Sequence, residues 1–140
     1  MNILEYYYKK INYTQMNKKE FLIDIYSKFK NTQLDPFLYN EITKELDVFS
    51  IHFGISYLEV SILAYVFKQT IEGNKINAKS VLEYFNCDTK VITLIQKKID
   101  RLLEKKIIVP DLNSSFSEQI YVMNPKLTEA IVSNINLPNL

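Results

Sequence analysis

The sequence predicts a mainly α fold completed by one small β-hairpin, and three observations carry that expectation. Of 140 residues, 47% are hydrophobic and 24% charged, with only 2 Gly and 4 Pro. That is enough apolar material for a core and too little punctuation for a many-turned all-β chain or a disordered one. Apolar residues recur at three- and four-residue spacing behind helix-start signals along most of the chain. Residues 107–109 and 119–122 have the β-branched and aromatic character of strands. At this length the chain is one compact unit, or one unit with a short extension. The expected parts are a helical extension at 1–50 packed on the core, a central domain at 51–124, and a C-terminal helix with the start of a linker at 125–140.

The elements follow in order. After an opening that interleaves Tyr6, Tyr7, Tyr8, Ile11 and Tyr13 with Lys9 and Lys10, Asn17-Lys18-Lys19-Glu20 reads as a capping box. It starts a helix to about Lys30 whose Phe21, Ile25 and Phe29 form a stripe with Leu22 beside them. Asp35-Pro36 is a cap followed by a first-turn proline, and Leu38, Ile42, Leu46 and Phe49 then mark one face of a second helix, closed by Gly54. Ser56-Tyr57-Leu58-Glu59 is another capping box and opens the most apolar segment, with Leu58, Ile62, Leu63, Val66, Phe67 and Ile71 expected inward and Gly73 as the left-handed stop. Lys75-Ile76-Asn77 is a short extended piece, and residues 78–85 form a short helix with Val81, Leu82 and Phe85 inward. Asn86-Cys87-Asp88 is the turn, with Asp88 capping a helix from Lys90 to about Lys105. The two β-prone runs follow, joined by the polar stretch 111–118, and Asn124-Pro125 starts a last helix carrying Leu127, Ala130, Ile131 and Ile135.

Helix, short strand, helix, turn, helix, hairpin is the order of a winged helix-turn-helix. Ile99-Asp100-Arg101-Leu102-Leu103-Glu104-Lys105-Lys106-Ile107-Ile108 resembles the end of a winged-helix recognition helix running into the first wing strand. The family usually carries Gly where Lys106 or Ile107 stands here. The stretch from Phe53-Gly54-Ile55-Ser56-Tyr57-Leu58-Glu59 to Tyr121-Val122-Met123-Asn124 is similar to the winged-helix domain that precedes the ATPase module in bacterial AAA-family ATPases. The resemblance implies a non-enzymatic adaptor or regulatory module whose motor lies beyond Leu140, since no phosphate loop occurs within these residues.

Charge then separates the partners. The net charge is +1, so no whole-molecule field draws in nucleic acid or an anionic membrane. Residues 75–106 nevertheless hold eight Lys or Arg against four acids. With Ile99 centred inward, Ile92, Ile95, Leu102 and Leu103 join it, while Lys90, Thr93, Leu94, Lys97, Arg101 and Glu104 point outward. On a DNA reader Arg101 and Lys97 would serve guanine edges or phosphate and Thr93 a thymine methyl. Against double-stranded DNA stands the wing loop, which carries Asp111 and Glu118 and no Lys or Arg to grip phosphates. Leu94, with Leu112 and Phe116 in the wing, suits a protein surface better. A charged, solvated helix face without special role is the plainest alternative.

Other chemistry has little to stand on. His52 is the sole histidine and sits at a helix end, so it reads as packed or surface; a pocket holding it beside a carboxylate would be the sign of catalysis. Cys87 lies in the helix-turn-helix turn, where a small packed residue fits, and Lys90 is the only nearby charge to activate it. Glu41, Glu45 and Asp47 lack histidine partners and read as a solvated face, so neither metal nor cofactor is expected. Three adjacent tyrosines on a helix point about 100° apart and make no single stacking platform, so Tyr6, Tyr7 and Tyr8 read as docking or dimer contacts. A lone cysteine, no signal-like N-terminus and no long apolar run predict a cytoplasmic protein without a membrane span. The expected function is contact with a protein partner or a downstream ATPase module, with a freestanding DNA-binding regulator as the alternative.

Overall fold

The computed structural model describes Ile3, residues 17–112, residue 114 and residues 119–140. Tyr6, Tyr7, Tyr8 and Phe116 therefore lie outside the described residues. The chain is mainly helical with one two-stranded antiparallel sheet. Its helices are α1 (Lys18–Phe29), α2 (Thr43–Phe53), α3 (Tyr57–Glu72), α4 (Ala78–Phe85), α5 (Ile92–Glu104) and α6 (Pro125–Val132). The strands are β1 (Ile108–Pro110) and β2 (Tyr121–Met123).

The caps sit where the sequence puts them. Asn17 Oδ1 accepts from the Lys19 and Glu20 amides. Ser56 and Glu59 form a reciprocal box at the start of α3, Asp88 Oδ1 accepts from the Lys90 amide, and Asn124 Oδ1 accepts from the Lys126 amide. Each satisfies helix-start donors that would otherwise lack partners. Gly54 and Gly73 close α2 and α3 at φ of 65° and 73°.

α3 is the axis of the fold. Residues 59–67 are buried without a break, so this helix is covered all round by α1, α2, α5 and β2. One apolar cluster links Leu22, Ile25 and Phe29 of α1, Leu46 and Phe49 of α2, Ile95, Ile99 and Leu102 of α5, and Leu127 and Ile131 of α6. α1 is also bound to the end of α4: the Asn31 amide donates to the Tyr84 carbonyl at 2.9 Å and the Gln33 amide to the Phe85 carbonyl at 2.7 Å. The Tyr84 ring stacks between Tyr26 and Tyr65, with centroids 5.1 and 4.7 Å away, and its hydroxyl donates to the Tyr26 carbonyl. Burial pushes the Tyr84 hydroxyl well above the usual phenol range, so it stays a neutral donor.

The hairpin pairs Ile108 with Met123, Val109 with Val122 and Pro110 with Tyr121. Tyr121 also bridges to Ile76, whose carbonyl accepts its amide at 2.8 Å, so the extended piece between α3 and α4 lies along the hairpin's free edge.

Four expectations are corrected. The segment from Pro36 to Phe53 is not one helix: a 3-10 turn, Pro36–Glu41, ends at Ile42 with φ −136° and ψ 34°, and α2 begins after it. The break turns the Tyr39 ring toward Phe29 and Tyr57 while Leu46 and Phe49 stay in the core. The helix expected from Lys90 begins with a 3-10 turn, Thr89–Val91, before α5 proper. Ile71 is 40% exposed, because α3 outruns the elements that cover it. Ile135 is 55% exposed, because α6 ends at Val132 and Asn134 turns left-handed at φ 51°. Among the described residues no single helix is long and apolar enough to cross a membrane; α2 and α3 qualify only as a pair bent by 95°.

Candidate functional site

The outward face of α5 is built as the periodicity requires. Ile95, Ile99 and Leu102 are buried, Ile92 and Leu103 half-buried, and Lys90, Thr93, Leu94, Lys97, Arg101 and Glu104 exposed. Leu94 is 42% exposed and Leu112, in the loop after β1, is fully exposed.

The side chains do not act as one set. Arg101 folds back over the body: its Nη2 donates to the Gly54 carbonyl at 3.2 Å, and its Nε lies 3.2 Å from Oε2 of Glu59. Lys105 follows, its Nζ donating to the Phe53 carbonyl at 3.1 Å. Both cations therefore sit on the C-terminal carbonyls of α2, the negative end of that helix. Glu59 is 1% exposed; Oε1 accepts from the Ser56 amide at 2.9 Å, while Oε2 has no hydrogen bond and faces Arg101 as a bare ion contact. Moving Arg101 out to a ligand would leave this buried carboxylate without its counter-charge. Lys90, Lys97 and Lys98 make no ion pair among the described residues.

Glu59 is the residue that the sequence reading missed in this role, taking it only for a cap. Its position carried the signal: it precedes Ile62 and Leu63 by three and four residues, so it lies on the buried stripe of α3, where a carboxylate needs a cation.

The remaining candidates separate. His52 and Asp47 do line one open cleft of about 440 Å³, with Lys18, Val48, Ile51, Asn136 and Leu137. Each is already engaged: His52 Nε2 lies 3.0 Å from the Pro138 carbonyl, and Asp47 accepts the Tyr57 hydroxyl. That hydrogen bond to a carboxylate raises the Tyr57 pKa. Burial raises the Cys87 thiol, the direction opposite to nucleophilic activation. Glu41 pairs with Lys28 instead of gathering with Glu45 and Asp47. Among the described residues no group of three His, Cys, Asp or Glu is placed to hold a metal.

Searches with the sequence and the fold find no matching family model, curated protein or solved structure.

Proposed function

We propose that this chain is a winged helix-turn-helix module that works by protein contact through the outward face of α5, without catalysing a reaction. The element order, the antiparallel hairpin behind α5 and the Ile76–Tyr121 bridge support the winged-helix reading. So does Lys106, which stands where the family usually carries Gly and holds φ at 62°, the conformation that glycine favours.

One observation carries the choice of partner: Arg101, the side chain best suited to a bidentate grip on guanine, is turned onto Glu59 and Gly54. What remains outward is a leucine among lysines, and the sequence of the wing holds Asp111 and Glu118 and no Lys or Arg. The test is binding to duplex DNA at low salt. Protein contact expects no complex, whereas a DNA reader gives affinity falling steeply as salt rises and weakened by Lys97→Ala. Strong salt-sensitive binding would sink the reading.

In its narrower form the module is the N-terminal domain of a bacterial AAA-family ATPase, as the resemblance of the stretch from Phe53 to Asn124 suggests. Reading the gene onward from Leu140 tests this: a phosphate-loop motif about one domain length downstream supports it, and an immediate stop codon refutes it. The exposed Lys90, Thr93 and Lys97 favour the DNA-binding regulator as the second reading.

A further inference from the structure

We infer that the N-terminal half of α5 docks an acidic protein segment that presents one large apolar side chain to Leu94. The inference rests on the protein-contact reading and names the partner's chemistry.

Single exposed leucines are ordinary on protein surfaces. This one differs in its surroundings. Lys97 and Lys98 stand three and four residues after Leu94 and are its neighbours along the helix, one on either side. Lys90 precedes it by four residues, at the 3-10 turn leading into α5. All three ammonium groups lack an ion-pair partner among the described residues.

The nearby acids, Asp88 and Asp100, pair with none of these lysines. Asp88 caps the Lys90 amide, Asp100 accepts from Gln96 at 2.9 Å, and the Arg101 guanidinium, two turns beyond Leu94, is held by Glu59. The result is an apolar anchor fringed by three lysines without ion-pair partners among the described residues. Such a surface is complementary to a segment whose carboxylates surround a leucine, isoleucine or aromatic residue: desolvation of the central contact supplies affinity, and the charged rim supplies orientation and association rate. A phosphate backbone would satisfy the lysines but would set water and charge against Leu94.

The test is a selection from a library of random peptides about 16 residues long displayed on phage, a length that spans an amphipathic helix in a groove. Enriched peptides should carry Asp or Glu on both sides of a large apolar residue. Leu94→Ala and Lys97→Glu should each weaken a selected peptide about tenfold, while Lys44→Glu on α2 leaves it unchanged. Circular dichroism confirms that each variant is folded. No enrichment, a basic or uncharged consensus, or acidic peptides indifferent to Leu94→Ala would each overturn the inference, and peptides bound through another face would leave protein contact standing. Salt-sensitive binding of a duplex of about 20 base pairs, weakened by Lys97→Ala, would instead remove the protein-contact reading itself.

Discussion

The two halves of α5 have the same kind of sequence and opposite relations to the rest of the molecule. In the first half Lys97 projects from the body with Leu94 beside it; in the second, Arg101 and Lys105 bend onto the end of α2 and the buried carboxylate of Glu59. Both halves satisfy the same helical wheel. The difference lies in what each half passes over: the C-terminal half lies against the left-handed stop at Gly54, where a helix ends with unpaired carbonyls and the next begins with an acid. A helix's outward face is thus a statement about direction, and reach decides which of its charges remain available.

The comparison breaks first at Arg101. Arg101→Ala strips the counter-charge from Glu59; because the guanidinium is half exposed, the usual penalty for breaking a buried pair shrinks to about 1–3 kcal/mol. Urea denaturation measures it, and a variant as stable as the parent would show that the contact holds nothing. The second experiment separates charge from packing. In a Glu59→Gln background, where the amide can still cap Ser56, Arg101→Ala should cost less by about 1 kcal/mol or more. Strict additivity in that double-mutant cycle would end the claim that these residues act as a pair.

Smaller effects sharpen the boundary. At Lys106, φ of 62° strains any side chain, so Lys106→Gly should raise stability by up to about 1 kcal/mol, read from the thermal midpoint. A fall in midpoint would mean that the lysine stem packs usefully there. Lys97→Ala, at a side chain with no ion pair among the described residues, should change stability by less than about 0.5 kcal/mol. A larger loss would place Lys97 with Arg101 among the structural cations.

Much of this architecture was legible beforehand because its determinants are local. Asn17, Ser56, Asp88 and Asn124 announce helix starts by accepting amides two or three residues ahead. The apolar spacing identified Ile95, Ile99 and Leu102 as the buried side of α5. The misses share a cause. The break at Ile42 turns on Tyr39 meeting Phe29 and Tyr57, residues ten or more positions away. Ile71 and Ile135 kept the spacing of inward residues while nothing arrived to cover them.

By itself the sequence determined which segments are helical, where most of them start and which side of each is apolar, since caps and periodicity act within about one or two helical turns. Only the tertiary structure decided that Glu59 is buried, that Arg101 and Lys105 are spent on the end of α2, and that Lys90 and Lys97 near Leu94 are left outward. The physical reason is distance along the chain: Glu59 and Arg101 meet across forty-two residues, and no local preference encodes a contact between two helices before they pack.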